Sequence, residues 1–243
     1  MSAQLAVVGL DRMGYDEALE IQRSLARARI DGRLERDTLL LAEHPRVITL
    51  GRSSKPEHLS TPRDLIESRG VEIHEIERGG DVTFHGPGQL VGYPIFALHE
   101  HRKDVHWFLR QIEAALIHTL DSVGIVAERA EGYTGVWTGG RKIASIGIHV
   151  KQWVTWHGFA LNVTTDLSYF DLIVPCGIQD VVMTSVQREL GEKTPRDVWA
   201  RTLDAVVLGF GEVFGMGVQA ASLEEVLSGT TGAERAAGAQ GAD

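Results

Sequence analysis

The sequence predicts a mixed α/β (α+β) protein in which helices pack on a β-sheet core. Three long stretches place apolar residues at helical spacing, and short runs rich in β-branched residues, bounded by turn residues, lie between them. The chain has 243 residues and 43% hydrophobic content, enough to bury one sizeable core. This pattern is compatible with a mixed sheet covered by helices, but it does not by itself select one fold.

The three helical stretches are amphipathic. The first runs from about Tyr15 to Arg29, the second from a capping Asp104 to Gly124, and the last over residues 198–213. The tetrapeptide Thr-Pro-Arg-Asp occurs at residues 61–64 and 194–197. In both copies we predict the Thr as a helix N-cap and the Pro as the first helical residue, which indicates shared capping chemistry rather than an internal repeat.

The remaining apolar runs predict strands. They alternate or are rich in β-branched residues, and they lie at residues 38–41, 47–50, 71–76 and 141–150. From Ser228 onward the chain has almost no large apolar residue. We therefore predict a single catalytic domain over residues 1–227 and a disordered tail over residues 228–243.

Composition disfavours several functional classes. The net charge of -9 opposes a phosphate backbone, so no nucleic-acid partner is expected. The single cysteine, Cys176, excludes an internal disulfide and a multi-cysteine metal site, and it fits a reducing compartment. No apolar run approaches the roughly 18 residues that span a bilayer, and the first residues do not resemble a signal peptide. These features predict a cytoplasmic protein without a membrane partner.

The sequence offers no convincing metal or nucleotide site. His99, His101 and His106 lie in a polar turn without the spacing of a helical metal motif, so a solvated loop is favoured and no metal is expected. Residues 135–142 do not complete a phosphate-binding loop, and residues 86–88 do not complete a dinucleotide fingerprint. We expect no cofactor.

Three glycine-containing stretches stand beside strand-like residues. They are RGGDVTFHGPGQL at residues 78–90, GGRKIASIGIHV at 139–150 and HGFALNV at 157–163. Glycine lets bare backbone groups line a cleft, although any one of these stretches alone is equally typical of a hairpin turn. A fourth stretch, Val-Pro-Cys-Gly-Ile at residues 174–178, holds the only thiol. A lone cysteine is by itself more typical of an inert small hydrophobe.

In this order, the four stretches resemble the octanoyl-[acyl-carrier-protein]:protein N-octanoyltransferases of lipoate biosynthesis, over about residues 10–215. The resemblance implies an enzyme that takes an octanoyl group from octanoyl-acyl carrier protein. The acceptor would be a lysine of a lipoyl domain, such as those of 2-oxoacid dehydrogenases and the glycine cleavage H protein. It also implies the α/β catalytic domain that this family shares with biotin and lipoate protein ligases.

The same resemblance implies a set of site residues. Cys176 would be the acyl-thioester nucleophile, and Lys142 would be its general acid and base. The residues that cradle the acyl chain and its thioester would be Arg78, Gly79, Gly80, Asp81, Val82, Thr83, Phe84 and His85, then Ser145, Ile146 and Gly147, then Gly158, Phe159 and Ala160.

The chemistry of these residue types fits the implied roles. A thiol with a pKa of ~8.5 is only a few per cent thiolate at neutral pH, and the thiolate is the form that attacks a thioester. A neighbouring lysine amine could accept the thiol proton and later deprotonate the incoming acceptor amine. Backbone NH groups around Gly147 or Gly177 are candidate oxyanion donors.

Three other functions are compatible with the sequence. An ATP-dependent lipoate or biotin protein ligase of the same fold would activate a free acid and would not need Cys176. A papain-type hydrolase would need His and Asn or Asp partners, and a non-catalytic module could bind acyl or lipoyl groups without reaction. His85 could carry a proton or form a wall of the acyl pocket, whereas structural roles are favoured for His149 and His157.

Four basic residues could gather where acidic carrier proteins dock: Arg52, Lys55, Arg102 and Lys103. A protein of net charge -9 needs local positive charge to attract an acidic partner. Plain surface charge is the alternative for all four.

Overall fold

The structure, a computed structural model, describes residues 3–174 and 181–228. Ten strands are present in the described residues: β1 Gln4–Arg12, β2 Thr38–Glu43, β3 Val47–Leu50, β4 Glu72–Glu75, β5 Val82–His85, β6 Gln89–Ile95, β7 Val136–Thr138, β8 Arg141–Lys151, β9 Val154–Asn162 and β10 Gly217–Ala220. The helices are α1 Tyr15–Ile30, α2 Arg63–Ser68, α3 Val105–Ser122, α4 Val186–Leu190 and α5 Val198–Phe214, with a further short helix at residues 223–228.

The strands form two sheets. The larger has seven strands in the order β10-β1-β2-β6-β9-β8-β7, and the smaller has the order β4-β3-β5. In the larger sheet β10, β1 and β2 run parallel, and every pair from β2 to β7 is antiparallel. The predicted class, a mixed sheet with packed helices, is confirmed.

Helices cover both faces of the larger sheet, so its central strands are buried on both sides. Alternation along β2 sends Leu39 and Leu41 into a core with Phe108 of α3 and Phe210 of α5. The intervening Leu40 joins a second core with α1. This two-sided burial explains why β2 is continuously apolar rather than alternating.

The smaller sheet has its own hydrophobic cluster. Ile48, Val82 and Phe84 pack there with Phe170 and Met183. Backbone hydrogen bonds tie this sheet to the larger one, because the Gly79 NH donates to the Ile148 carbonyl of β8 at 2.8 Å. A cleft between the two sheets results.

Two neighbouring strands at one side of the larger sheet, β1 and β10, were not predicted from the sequence. In β1, Ala6 and Gly9 weaken the strand signal, but the segment becomes a strand because it lies between β2 and β10. Strand β10 is largely exposed, and it is defined by parallel pairing to β1 over Gly217–Ala220. Long-range pairing, and not local propensity, produces both.

The capping prediction for the two Thr-Pro-Arg-Asp copies is wrong. Pro62 is extended at φ -53° and ψ 142°, so α2 begins at Arg63 without a side-chain cap. The Thr194 hydroxyl donates to the Gly191 and Gln187 carbonyls and closes the preceding turn. Helix α5 therefore begins only at Val198. By contrast, Asp104 caps α3 as predicted, accepting from the Trp107 NH at 3.0 Å.

Of the three histidines predicted to lie in a solvated loop, His99 and His106 are exposed as predicted, but His101 is not. His101 is partly buried, pairs with Asp37 and stacks on Phe96 with ring centroids 5.7 Å apart. Within residues 3–174 and 181–228, no group of three or more His, Cys, Asp or Glu is placed to hold a metal ion. Over the same residues, no helix combines the length and apolarity that crossing a membrane requires. Apart from Ser228, the tail predicted to be disordered lies outside the described residues.

Two glycines allow β6 and β9 to approach closely beside the cleft. A Cβ atom on Gly158 would lie 2.1 Å from the Gly92 carbonyl oxygen and 2.6 Å from Cδ of Pro94. A Cβ on Gly92 would lie 2.2 Å from the Phe159 ring. Gly158 cannot hold a side chain without moving a strand, and a side chain at Gly92 would displace the buried Phe159 ring.

We therefore expect Gly158→Ala to destabilise the protein by about 1–3 kcal/mol, because the added methyl would overpack this backbone contact. Gly9→Ala in β1 is the matched control, since a Cβ there meets nothing within 4 Å. Free energies of unfolding from urea titrations would compare the two variants. Equal stabilities would show that the strands accommodate the methyl group.

Candidate active site

A cavity of about 290 Å³ lies between the two sheets, at the start of α1. Its walls come from β5, β6, β8 and β9, from the loop before β5 and from the loop before β7. The lining residues are Tyr15, Arg78, Gly80, Asp81, Val82, Thr83, His85, Tyr93, Gly132, Tyr133, Thr134, Lys142, Ser145, Ile146, Gly147, His157, Gly158, Phe159 and Ala160.

The structure brings most of the sequence-predicted site residues together. Lys142 and all the predicted acyl-pocket residues except Gly79 and Phe84 line this cavity. Phe84 points into the core of the smaller sheet, where it stacks on Tyr169 with ring centroids 4.9 Å apart. The backbone of Gly79 instead packs closely on β8. A Cβ atom on Gly147 of β8 would lie only 2.6 Å from the Gly79 carbonyl oxygen.

Lys142 lies near the start of β8 with only 1% of its surface exposed. Its Nζ donates to the Thr134 carbonyl at 3.3 Å and lies 4.8 Å from the ring centroid of Trp137. Gly135 lies between Thr134 and Trp137 in the sequence, and its φ of 138° favours glycine. A Cβ atom at this position would lie 2.9 Å from Cε of Lys142. The lysine amine is thus held inside the protein at one wall of the cavity.

Cys176 lies outside the described residues, so its contact with Lys142 stays a prediction. The chain on both sides of residues 175–180 is anchored at the site. The Val174 NH donates to the His58 carbonyl at 2.8 Å, and the Lys142 NH donates to the Val182 carbonyl at 2.8 Å. A further bond from the Thr184 NH to the Lys142 carbonyl, 2.9 Å long, fixes the returning segment beside β8.

Arg78 and Asp81 hold the loop before β5 in place. The Arg78 Nη2 donates to both the carbonyl and the hydroxyl oxygen of Thr49, each at 2.8 Å. Asp81 pairs with His58 at 2.7 Å and accepts from the Val82 NH. The buried guanidinium of Arg78 therefore binds the backbone and side chain of β3.

Two tyrosines and two histidines form a polar cluster at the cavity floor, and neither tyrosine was identified from the sequence. His44 faces the Met13 carbonyl with Nδ1 at 2.8 Å, so this nitrogen carries the proton and Nε2 accepts from the Tyr93 hydroxyl at 2.6 Å. His85 likewise donates from Nδ1 to Gln89 at 2.8 Å and stacks on Tyr15 with ring centroids 5.9 Å apart.

Burial keeps this cluster uncharged near neutral pH. Loss of hydration, with the adjacent His44, lowers the pKa of His85 to about 3. Burial also lowers the pKa of His44 and raises the pKa values of Tyr15 and Tyr93. From the sequence, Tyr15 was predicted only to pack on the apolar face of the first helix. No local sequence pattern predicted that it would line the cavity.

His157 forms another part of the cavity wall in a strained backbone conformation. Its φ is 56°, which a non-glycine residue rarely adopts in a strand, and it is 1% exposed. Both ring nitrogens lack a hydrogen-bond partner among the described residues, and the nearest carboxylate oxygen, on Glu77, is 3.8 Å from Nε2. The nearby His157 ring, by electrostatic attraction at this longer distance, and hydrogen bonds donated by Arg23 and Trp156 hold the pKa of Glu77 well below its ordinary value.

Taken together, the site can enclose an elongated apolar group beside a buried amine. Val82, Ile146, Phe159 and Ala160 supply apolar wall, and glycine backbone supplies close approach. Among the described residues that line the cavity, Lys142 alone contributes a primary amine. This arrangement suits acyl chemistry in which one amine moves protons near one end of the chain.

The buried histidine gives a pH-dependent stability. In the unfolded chain His85 takes up a proton near its ordinary pKa of 6.5, but in the folded protein it does so only near 3. Its contribution is therefore fully present above about pH 6.5 and is lost progressively as the pH falls toward 3.

We expect His85→Gln to reduce the loss of unfolding free energy between about pH 7 and pH 4 by up to a few kcal/mol. Glutamine retains hydrogen-bonding groups but does not titrate, so the variant removes the proton uptake of residue 85 from the comparison. Urea titrations at both pH values would measure the difference. Parallel losses in the two proteins would contradict a depressed His85 pKa.

Comparisons with known proteins agree with this architecture. A family model described as the lipoyl protein ligase A/B catalytic domain matches residues 14–207. An octanoyltransferase of Acidobacterium capsulatum is 47% identical over 224 residues, covering 87% of this chain and 90% of that protein. One of Solibacter usitatus is 50% identical over 206 residues, covering 82% and 93%.

Solved structures share the fold. The bipartite lipoate protein ligase of Thermoplasma acidophilum, described with its E2 lipoyl domain, has a TM-score of 0.72 at 16% identity and covers 95% of this chain and 91% of that one. Lipoate-protein ligase A bound with ATP has a TM-score of 0.69 at 16% identity, covering 95% and 93%. The resemblance stated from the sequence motifs is confirmed: the chain belongs to the lipoyl protein ligase A/B catalytic-domain family, is an acyltransferase, and has octanoyltransferases as its close relatives.

Proposed function

We propose that this acyltransferase moves an octanoyl group from octanoyl-acyl carrier protein to a specific lysine of a lipoyl domain. The reaction proceeds through an acyl-thioester on Cys176, with Lys142 as general base and general acid. The observation that carries this proposal is the buried Lys142 amine in the cavity wall, on a residue whose backbone binds the segment that follows residues 175–180.

The cavity wall supports the identity of the group transferred. An octanoyl chain is apolar along its length and carries one polar carbonyl at its end. Ile146, Phe159 and Ala160 offer apolar surface on two neighbouring strands, while Lys142 lies toward one end of the same strand pair. The chain would lie along β8 and β9 with its thioester toward Lys142.

In the first half-reaction Lys142 accepts the Cys176 proton, and the thiolate attacks the carbonyl carbon of the octanoyl thioester. The tetrahedral intermediate collapses, the bond to the carrier sulfur breaks, and Lys142 returns the proton to that sulfur. Backbone NH groups at Gly147 or Gly177 are the proposed oxyanion donors, and Gly177 lies outside the described residues.

In the second half-reaction the acceptor lysine replaces the carrier. Lys142 accepts a proton from the acceptor amine, which attacks the Cys176 thioester, and the cysteine thiolate leaves and is reprotonated. A lipoyl-domain acceptor is supported by the description of the Thermoplasma acidophilum ligase with its E2 lipoyl domain. One amine thus serves both steps.

An ATP-dependent ligase is the competing function, because a solved neighbour of this fold is described as bound with ATP. That neighbour shares 16% of its sequence with this chain, whereas the octanoyltransferases share 47–50%. The higher similarity favours thioester transfer.

The decisive measurement mixes the protein with octanoyl-carrier protein in the absence of an acceptor and ATP. We expect intact-mass spectrometry to show one added octanoyl group that hydroxylamine removes, and no such adduct on Cys176→Ser. Acylation that requires ATP and persists in Cys176→Ser would instead identify a ligase.

Replacing the amine tests the second role. We expect Lys142→Ala to slow adduct formation and its transfer to a lipoyl domain by roughly 10²–10⁴-fold, because both steps lose their proton carrier. Lys151→Ala, an exposed lysine at the other end of β8, is the matched control. Wild-type rates for Lys142→Ala would remove it from the mechanism.

Charge near the cavity offers a test of donor docking. Arg52 lies beside the loop before β5, since the Arg52 backbone NH donates to the Arg78 carbonyl at 3.1 Å. Arg102 pairs with Asp104 at the start of α3, and no residue from 99 to 104 lines the cavity. The four basic residues considered from the sequence therefore do not all surround the site.

We expect Arg52→Glu to raise the KM for an acidic carrier protein several-fold at low salt, while Arg102→Glu leaves it near the wild-type value. Steady-state kinetics at two ionic strengths would compare both variants. An unchanged KM for Arg52→Glu would place donor docking elsewhere.

A further inference from the structure

Helix α3 carries a carboxylate that the proposed mechanism does not use. Glu113 lies on the face of α3 turned toward the sheet and is 0% exposed. Burying a carboxylate is costly unless it is paired, and an apolar residue of similar size would pack there at lower cost.

The Glu113 carboxylate accepts hydrogen bonds from one other side chain of α3 and from two groups outside that helix. Its Oε2 accepts from Nη1 of Arg110 at 2.6 Å and from Nε of Arg129 at 2.9 Å. Its Oε1 accepts from the Gly135 NH at 3.1 Å. Arg129 also donates to the Arg110 backbone carbonyl at 3.0 Å, so a second bond holds the Arg129 guanidinium beside the carboxylate.

The bond to Gly135 reaches Lys142 through a single peptide group. The Gly135 NH and the Thr134 carbonyl belong to the same planar unit, and in a trans peptide they point in opposite directions. On one side the NH donates to Glu113, and on the other the carbonyl accepts from Nζ of Lys142 at 3.3 Å. A carboxylate and an amine are thus joined across one rigid peptide.

This arrangement determines which way the peptide faces. If the Thr134–Gly135 peptide turned over, its carbonyl would face the Glu113 carboxylate and its NH would face the lysine amine, and both contacts would be repulsive. Glu113 therefore presents an acceptor to Lys142, and its charge polarises that acceptor. The tight packing of Gly135 on Cε of Lys142 transmits the position of the loop to the amine.

We propose that Glu113 is a positioning residue for acyl transfer, which holds the Thr134–Gly135 peptide so that Lys142 is placed for proton transfer to and from the reacting groups. This inference rests on the proposed role of Lys142. It assigns Glu113 no contact with substrate.

The test is Glu113→Gln, which keeps the shape of the side chain but removes its charge. Its amide has a single oxygen, so an NH₂ group must face either the two arginines or the Gly135 NH, and the cationic arginines compete with that NH for the oxygen. We expect kcat for octanoyl transfer to fall roughly tenfold to a hundredfold, with KM for carrier protein and lipoyl domain within threefold of wild type. The split between kcat and KM separates misplacement of the amine from a damaged docking surface.

Asp37→Asn is the matched control for burial of a carboxylate. Asp37 is also buried and paired, with Arg29 and His101, and it accepts from the Ala97 NH at 2.9 Å, but it does not line the cavity. We expect both variants to lower the Tm, and only Glu113→Gln to lower kcat when rates are compared per folded molecule. Equal kcat losses in both variants would overturn the proposal.

Two further measurements keep the outcomes distinct. Inactive Lys142→Ala together with wild-type kcat in Glu113→Gln would overturn this inference alone, whereas active Lys142→Ala would overturn the proposed mechanism itself. If Glu113→Gln does not fold, Arg129→Gln replaces it, because it loosens the carboxylate from a partly exposed position. A several-fold lower kcat with unchanged KM supports the positioning role, and an unchanged kcat overturns it.

Discussion

Keeping the Lys142 amine inside the protein is the constraint on which the site depends. An amine removed from water needs hydrogen-bond acceptors or other favourable contacts close by. Here the Thr134 carbonyl and the Trp137 ring supply them. The loop that carries Thr134 must then pack closely on β8, which requires the bare backbone of Gly135. One buried amine therefore determines the course of the loop before β7 and the residues that can occupy it.

The same strand organises the chain around the proposed nucleophile. Backbone groups of Lys142 bind residues 182 and 184, so the segment returning after residues 175–180 continues the edge of the site. On the far side of those residues, Val174 binds His58, whose side chain pairs with Asp81 of the cavity wall. The larger sheet, the smaller sheet and the two flanks thus meet around the cavity through backbone hydrogen bonds and the His58–Asp81 side-chain pair.

Polar groups in the cavity are arranged so that few charges are buried without partners. Burial keeps His44 and His85 neutral and the tyrosines protonated, while Arg78 is satisfied by Thr49. The exception is His157, which is strained and has no hydrogen-bond partner for its ring among the described residues. Strain of this kind is typical of functional sites, where the surrounding structure maintains a backbone conformation that is otherwise unfavourable for the residue.

Local pattern in the sequence determined the helices, the principal strands and the family. The apolar period located α1, α3 and α5 to within about two residues, because a helix that packs on a sheet must repeat its buried face. The glycine stretches were recognisable because close backbone approach at Gly147 and Gly158 excludes any side chain. Both features appear in residues close together in the sequence, so a local sequence pattern is enough to predict them.

Tertiary structure alone decided the rest. Strand β10 exists because β1 lies beside it, and the two Thr-Pro-Arg-Asp copies do not cap helices because their backbones are extended or occupied by other bonds. Phe84 alternates away from the cavity, whereas Tyr15 and Tyr93 converge on it from distant elements. The link from Glu113 to Lys142 spans 29 residues and one peptide group, and sequence spacing carries no trace of it, because only folding brings α3, the loop and β8 together.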